Sequence, residues 1–132
     1  MTLEIWKDIP GYEAYYQISN IGRVRSIERV IQLGTKQTQS IKGRIMKPNP
    51  DKDGYLSVQL SKRHKIKSRR IHHLVAEVFI SNPDNKVIVN HINGIKNDNR
   101  VTNLEWCTHL ENEAHAVKHG LKAKGVRIQT SK

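Results

Sequence analysis

The alternation of apolar and polar residues predicts one strand and one helix near the middle of the chain. Between residues 55 and 61, Leu56, Val58 and Leu60 alternate with other side chains and therefore face the same side of a β-strand. Apolar residues over 71–80 instead recur every three or four positions, which is the spacing of a single helix face. We therefore expect a strand followed by a short amphipathic helix.

The first fifty residues predict several shorter strands. Turn-forming residues at 20–22 separate two segments, 15–18 and 23–27, which are expected to pair as a hairpin. Residues 31–40 are polar and are interpreted as a loop or a mobile hairpin tip. The segment 42–47 is a candidate strand, because it ends at a proline and a turn follows.

A second apolar run, over 87–89, has the β-branched composition of a buried strand. Asn90 and His91 follow it where the apolar pattern stops, and the end of a strand is a suitable position for a catalytic side chain. The Asn93-Gly94 pair and the Asn and Asp residues after it favour turns. Because the chain is then expected to double back, 104–107 is predicted to be a second short strand.

A helix is predicted directly after that strand. Thr108 and Glu111 match a capping box, in which each side chain satisfies a free amide at the helix start. Leu110, Ala114 and Val117 are spaced as one apolar helix face, and Gly120 occupies a position typical of a helix end. The whole unit is therefore predicted as strand, polar loop, strand and helix.

This unit resembles the HNH endonucleases, whose core is a ββα-metal fold, and is most similar to the subgroup found in phages and mobile introns. Several spaced residue types agree at once over about residues 71–120. The resemblance implies an α+β fold with a small β-rich N-terminal module before a ββα-metal (HNH, His-Me finger) nuclease core. The matching residues are Ile71, His72, His73, Leu74, Val75, Ala76, Asn90, His91, Ile92, Asn93, Gly94, Asn99, Asn103, Leu104, Glu105, Trp106, Cys107, Thr108, Glu111 and Asn112.

The same resemblance implies roles for individual residues. His91 is implied as the general base, Asn103 as the asparagine that holds the loop between the strands, and Asn112 as a metal ligand on the helix. Asn90 stands where many members carry an aspartate that binds the metal. Its amide is a weaker ligand for a hard cation than a carboxylate, although its carbonyl oxygen can still coordinate. The implied cofactor is Mg²⁺ or Mn²⁺.

Four histidines offer further candidates. His115 lies one turn after Asn112 and is the reserve metal ligand. His72 lies at the border of the first helix's apolar face, where it either packs as a structural histidine or supports the edge of the active site. His73 lies on the far side and is expected to meet solvent or phosphate. His115 and His119 have a spacing that can hold one ion, but a zinc finger needs further ligands and the chain has one cysteine.

The N-terminal segment resembles the small modular domain that commonly precedes the nuclease core in homing-type HNH enzymes. The resemblance predicts a β-rich module over 1–60, the nuclease core over 61–120 and a basic C-terminal tail over 121–132. The residues that carry the likeness are Trp6, Gly11, Tyr12, Tyr16, Ser19, Asn20, Gly22 and Val24.

The charge of the chain identifies its expected partner. Among 132 residues, 23 Lys and Arg outnumber 12 Asp and Glu, giving a formal net charge of +11. Such an excess favours a polyanion, and beside a nuclease motif we expect double-stranded DNA. No run of about 18 apolar residues and no signal peptide is present, so no membrane association is expected. We expect a cytoplasmic protein of a phage or mobile element in a bacterial host, monomeric or homodimeric, with no protein partner evident.

Basic residues in two places are predicted to contact the DNA backbone. Arg23 and Arg25 alternate onto one strand face, and a run of six cations without an acid lies within 62–70. The basic tail is expected to become ordered only on DNA. The predicted DNA-binding residues are Arg23, Arg25, Lys62, Arg63, Lys65, Lys67, Arg69, Arg70 and His73.

Three functions are compatible with these observations. The leading hypothesis is a metal-dependent DNA endonuclease or nickase. The alternative is a non-catalytic nucleic-acid-binding protein that retains the fold, which is consistent with Asn90 in place of an acid. A basic RNA-associated protein explains the charge but leaves the pairs Asn90-His91 and Glu111-Asn112 unexplained.

Overall fold

The computed structural model describes residues 3–118, which form small antiparallel sheets and two α-helices. Neither of these helices is long and apolar enough to cross a membrane. Three predicted features, namely the helix end at Gly120, the ligand His119 and the tail 121–132, lie outside the described residues. The strands are β1 (Trp6–Asp8), β2 (Tyr16–Ser19), β3 (Val24–Ser26), β4 (Arg29–Leu33), β5 (Gln37–Ile41), β6 (Asn49–Pro50), β7 (Leu56–Lys62), β8 (Lys65–Arg70), β9 (Ile88–His91) and β10 (Leu104–Cys107). The helices are α1 (Ile71–Phe79) and α2 (His109–Lys118), and a 3₁₀ turn covers Val101–Asn103.

The first three strands form a sheet in the order β1-β2-β3. The predicted hairpin is confirmed, because β2 pairs with β3 and Ile18 lies opposite Val24. Both side chains are buried and belong to the main core, and α1 packs on β2. The N-terminal sheet is therefore packed against the helix that opens the second half of the chain.

Residues 31–40 belong to a regular hairpin. β4 pairs with β5 from Arg29 opposite Ile41 to Leu33 opposite Gln37, and every residue of β5 is exposed. The strand predicted over 42–47 is wrong, since this segment makes only an isolated β-bridge between Ile45 and β3. Two backbone hydrogen bonds flank this bridge, from the N of Ser26 to the carbonyl oxygen of Arg44 at 2.9 Å and from the N of Met46 to that of Val24 at 2.8 Å, so the contact with β3 is too short to count as a strand.

The central sheet has the order β6-β7-β8, and α1 follows β8 directly. The alternation predicted for β7 is confirmed, because Val58 and Leu60 are both buried. They share one hydrophobic core with Leu74 and Val75 of α1 and with Ile18 of the N-terminal sheet. The predicted boundary between residues 60 and 61 falls within β7. The hydrophobic core contains residues from both sides of this boundary and is therefore continuous across it.

The last three elements form the predicted strand-strand-helix unit. β9 and β10 pair antiparallel, and β9 extends past the apolar run because Asn90 opposite Glu105 continues the ladder. The capping box of α2 is confirmed. Glu111 N donates to Thr108 Oγ1 at 3.1 Å, and Thr108 N donates to Glu111 Oε1 at 2.9 Å. The architecture is therefore α+β, with a β-rich N-terminal part and a C-terminal ββα region.

The apolar face predicted for α2 is not buried. Leu110 is 81% exposed, Val117 is 61% exposed, and Ala114 is also exposed. The side that packs on β9 and β10 instead carries Asn112, which is 8% exposed. Hydrophobic burial does not explain a helix that turns an asparagine inward and a leucine outward, so the buried side is a candidate functional surface.

Candidate active site

His91 lies at the end of β9 with its imidazole on the side of the hairpin that faces α1. Its ring centroid is 4.8 Å from that of His72 on α1 and 5.8 Å from that of Tyr55. Its Nε2 lies 2.8 Å from Oδ1 of Asn99, in the loop between β9 and β10. Because an amide oxygen can only accept, Nε2–H is the donor and the lone pair is on Nδ1. Asn99 therefore holds the tautomer in which Nδ1 can accept a proton.

The surroundings of His91 favour its neutral form. Burial lowers the pKa of His91 below its usual value, because a charged imidazolium loses hydration there. The hydrogen bond with Asn99 and the negative charge of Asp98 act in the opposite direction but do not outweigh burial. The imidazole is therefore an unprotonated base at neutral pH.

Asn103 holds the loop that follows His91. Its Oδ1 accepts from the backbone N of Asn93 at 3.0 Å, and its Nδ2 donates to Oδ1 of the same residue at 2.9 Å. The Nδ2 also donates to the carbonyl oxygen of Asp98 at 2.9 Å. These bonds tie the two ends of the loop together. Asn103 therefore fixes the conformation of the loop that carries Asn99.

The two faces of the β9-β10 hairpin carry different parts of the site. Adjacent side chains on a strand point to opposite faces, and the contact with His72 puts His91 on the α1 side. Asn90 therefore points to the face covered by α2, together with its cross-strand partner Glu105. Asn90 Nδ2 donates to Glu105 Oε1 at 3.1 Å.

Asn112 is buried on the side of α2 that packs on β9 and β10. α2 begins directly after β10, beside the start of β9. One helical turn beyond Asn112, Nε2 of His115 lies 2.8 Å from the carbonyl oxygen of Ile92, just past the end of β9. The helix therefore runs along β9 from its start to its end, and the buried Asn112 is level with the middle of the strand.

This face offers oxygen donors that suit a hard cation. No three His, Cys, Asp or Glu side chains within residues 3–118 lie close enough together to hold a metal ion. Asn90 uses its amide nitrogen to bind Glu105, which leaves its carbonyl oxygen, with that of Asn112, as a candidate ligand. Mg²⁺ is typically held by few protein oxygens together with substrate phosphates, so a small amide set fits such an ion. His115 donates Nε2–H to a carbonyl, and that atom is therefore not a ligand in this arrangement.

His72 supports the buried side of the site. It is 1% exposed, and neither ring nitrogen has a hydrogen-bond partner among the described residues. Its ring stacks on Tyr55 with centroids 5.1 Å apart. Burial, with smaller contributions from nearby positive charge, lowers the pKa of His72 to about 2. His73 is half-buried with its ring edge-on to Trp106, rather than fully exposed as its helical position suggested.

The burial of His72 predicts stability that is lost in acid. The folded protein protonates this ring only near pH 2, whereas an unfolded histidine does so near 6.5. Between these values the unfolded chain binds more protons, so the free energy of unfolding falls by about 1.4 kcal/mol for each unit of decreasing pH. His72→Phe should flatten this slope in urea unfolding between about pH 4 and 6.5, whereas His109→Gln, at an exposed position, should not. Equal slopes for wild type and His72→Phe would contradict this cause.

The N-terminal part supports the active-site loop. The backbone N of Val101 donates to the carbonyl oxygen of Asn20 at 2.8 Å. Gly22 packs so closely against the loop that a Cβ there would lie 2.7 Å from the Cβ of Asn99. Because Asn99 is the hydrogen-bond partner of His91, the first hairpin helps to position the candidate base.

The cationic run forms the turn after β7 and the strand β8, as predicted. Lys62, Arg69 and Arg70 have partners within the protein, namely the carbonyl oxygen of Gly11, Glu77 and Asp51. The remaining members extend into solvent and are the cations most available to a polyanion. The exposed cations of the run without an ion pair within residues 3–118 are Arg63, Lys65 and Lys67.

Arg23 and Arg25 are more engaged than their strand alternation suggested. Arg23 pairs with Glu4, and Arg25 donates to Gln17 Oε1 at 2.7 Å from Nη2 and 2.9 Å from Nε. Both guanidinium groups also lie over the ring of Trp6, at 5.7 and 4.2 Å from its centroid. A phosphate contact by either arginine therefore competes with contacts inside the protein.

Sequence reasoning missed the contacts of Asn99 with His91 and of Glu105 with Asn90. Asn99 matched the family pattern without a role, because its contact with His91 depends on how the loop between them folds. Glu105 is the exposed residue of a short strand, and an exposed strand position usually has no function. The hairpin register, which pairs Glu105 with Asn90, is the signal that identifies it.

Two family models match the chain in succession. One, described as the NUMOD4 motif, matches residues 4–61, and the other, described as HNH endonuclease, matches residues 69–114. The first covers the β-rich N-terminal part. The second covers α1, the β9-β10 hairpin and the part of α2 that carries Asn112.

Relatives of viral and phage origin match both parts. An uncharacterized HNH endonuclease of Acanthamoeba polyphaga mimivirus is 44% identical over 123 residues, covering 89% of this chain and 27% of that protein. The DNA endonuclease I-HmuI of Bacillus phage SP01 is 36% identical over 115 residues, covering 87% of this chain and 59% of the phage protein. This chain therefore spans less than two thirds of each relative.

A solved structure agrees with these matches. The structure described as DNA binding and cleavage by the HNH homing endonuclease I-HmuI is similar with a TM-score of 0.74 and 36% sequence identity. The similarity covers 89% of this chain and 60% of that one. HNH endonucleases generally use a divalent metal, in agreement with the oxygen donors on the α2 face. With an N-terminal NUMOD4 motif, an HNH core and this structural match, the chain belongs to the HNH endonuclease family.

Proposed function

We propose that this chain hydrolyses DNA phosphodiester bonds as a metal-dependent endonuclease or nickase with His91 as its general base. The observation that carries the proposal is the buried hydrogen bond from Nε2 of His91 to Asn99, which assigns the lone pair to Nδ1. The amides of Asn90 and Asn112, on the face of the hairpin that α2 covers, support a metal site. The relative whose name specifies a DNA endonuclease, and the net charge of +11, support DNA as the substrate.

Phosphodiester hydrolysis needs an activated water, stabilisation of the charge that grows on the phosphate, and help for the leaving oxygen. In the proposed reaction Nδ1 of His91 takes the proton from the attacking water, while Asn99 keeps the ring oriented. Asn90 and Asn112 would hold Mg²⁺ or Mn²⁺, and the cation would supply the positive charge that stabilises the charge growing in the transition state. His72 and Tyr55 exclude water from the inner side of the ring. The products carry a 5′-phosphate and a 3′-hydroxyl.

We propose that the exposed cations of β8 and of the turn before it bind the DNA backbone. Replacing Arg63, Lys65 and Lys67 together with alanine should flatten the salt dependence of binding by up to about 0.9 slope units for each phosphate that is no longer neutralised. Affinity should fall similarly for unrelated sequences, because phosphate contacts carry no base information. Fluorescence anisotropy over a salt series measures both effects. Lys7→Ala is the control, because Lys7 lies on β1 over the ring of Phe79.

An unchanged salt slope in the triple variant would show that these three side chains do not contact phosphate. If Lys7→Ala reduced the salt slope by the same amount per charge removed, the effect would follow total charge rather than this surface. The two variants differ in the number of charges removed, so slopes are compared per charge removed.

Incubation of the purified protein with supercoiled plasmid tests the activity. We expect open-circular or linear plasmid with Mg²⁺ or Mn²⁺ and no conversion in EDTA. A protein that binds the plasmid but does not cut it with either metal would favour the non-catalytic nucleic-acid-binding function. Because the matched relatives come from a phage and another virus, we also propose that the chain is encoded by a phage or mobile element.

A further inference from the structure

Asn90 and Glu105 form a cross-strand pair on the hairpin face that packs on α2. In this pair, Asn90 Nδ2 donates to Glu105 Oε1 at 3.1 Å. Asn90 is 5% exposed, so its amide is buried, whereas Glu105 is exposed. The buried amide is therefore held in one orientation by a charged group.

The proposed ligands on this face carry no negative charge of their own. Both are asparagines, and hard divalent cations bind carboxylate oxygens more strongly than amide oxygens. Glu105 brings a carboxylate into hydrogen-bond contact with one of these ligands, and it has no ion pair in the part of the chain that the structure describes. Glu111, the neighbouring acid on α2, is already used by the capping box and by an ion pair with Lys86.

We propose that Glu105 is a positioning residue of the metal site and supplies the negative charge that Asn90 lacks. Its carboxylate binds the amide nitrogen of Asn90, so the carbonyl oxygen of that amide is directed toward the cation. The charge on Glu105 also polarises the amide, which makes its oxygen a better ligand. This inference rests on the metal site of the proposed function.

Mn²⁺ binding to the purified chain without DNA, followed by electron paramagnetic resonance, tests the role of Glu105. Glu105→Gln keeps an acceptor oxygen for the Asn90 amide but removes the charge. We expect its Mn²⁺ dissociation constant to rise by about 10- to 100-fold, the usual effect of losing a partner of a metal ligand. The melting temperature in EDTA should stay close to that of wild type. Glu77→Gln is the matched control, because Glu77 lies on α1 and pairs with Arg69.

A charge exchange distinguishes a role in the metal site from a role in folding. The double variant Asn90→Asp with Glu105→Gln moves the carboxylate to position 90 and keeps an amide opposite it. We expect it to bind Mn²⁺ at least as tightly as wild type. Failure of this variant to regain binding, or wild-type affinity in Glu105→Gln, would overturn the inference while the metal site stands. Absence of Mn²⁺ binding by wild type would overturn the metal site itself.

Discussion

His91→Ala should cut DNA about 10²- to 10⁴-fold more slowly than wild type, the usual cost of losing a general base. The reason is that Nδ1 of His91 is the proposed proton acceptor, and its Nε2–H is committed to Asn99. DNA affinity should be nearly unchanged, because the base acts in the transition state rather than in binding. Single-turnover cleavage of plasmid, with anisotropy for binding, measures the two effects separately.

The burial of His91 requires a control for folding. Its ring packs against Tyr55 and His72, so alanine leaves a cavity that lowers stability. His91→Gln fills more of that space but provides no base, and it should be as slow as His91→Ala. A folded alanine variant that cuts at the wild-type rate would remove His91 from catalysis. Loss of folding and DNA binding together in both variants would instead identify a structural histidine and favour the non-catalytic function.

Gly22→Ala should slow cleavage although residue 22 lies in the NUMOD4 part of the chain. A Cβ at this position would lie 2.7 Å from the Cβ of Asn99 and 3.0 Å from its carbonyl oxygen, so Asn99 must move. Its movement weakens the hydrogen bond that orients His91. A displacement of about 1 Å near a reacting group can cost up to roughly 10²-fold in rate, which is the size of the effect that we expect.

Gly11→Ala is the matched control for Gly22→Ala. Both glycines have a left-handed backbone, with φ of +85° at Gly11 and +92° at Gly22, so alanine is strained at either position. A Cβ on Gly11 would meet nothing within 4 Å, so its substitution carries the strain without the collision. Gly11→Ala should therefore lower the melting temperature but cut at nearly the wild-type rate. Equal cleavage rates in the two variants would contradict a link from Gly22 through Asn99 to His91.

Elements with strong local signals were predicted correctly from the sequence. The two-residue period of β7, the helical period of α1 and the capping box of α2 are each encoded within about ten residues. The pairing of β4 with β5 was less visible, because its exposed strands carry no apolar face. The inward face of α2 was mispredicted for a different reason. Leu110 and Val117 have helical spacing, but the helix buries Asn112. The spacing of the apolar residues therefore predicted the helix correctly but not which of its faces is buried.

The candidate site was predictable only as far as the family resemblance reached. His91, Asn103, Asn90 and Asn112 matched residues with implied roles, and the structure places them around the β9-β10 hairpin, with His91 on the face toward α1 and Asn90 and Asn112 on the face toward α2. Asn99 could not be assigned from the sequence, because its contact with the imidazole spans eight residues of irregular loop. The contact of Gly22 with that loop crosses the two parts of the chain, and no pattern within either part contains it.

Chemical rescue tests the assignment of His91 as the general base most directly. His91→Gly leaves space between Tyr55 and His72 that added imidazole can occupy. We expect this variant to convert supercoiled plasmid very slowly with Mg²⁺, and its rate to rise with the concentration of neutral imidazole while the wild-type rate does not change. A folded, DNA-binding glycine variant whose cleavage rate does not respond to imidazole would contradict the assignment of the base to this position.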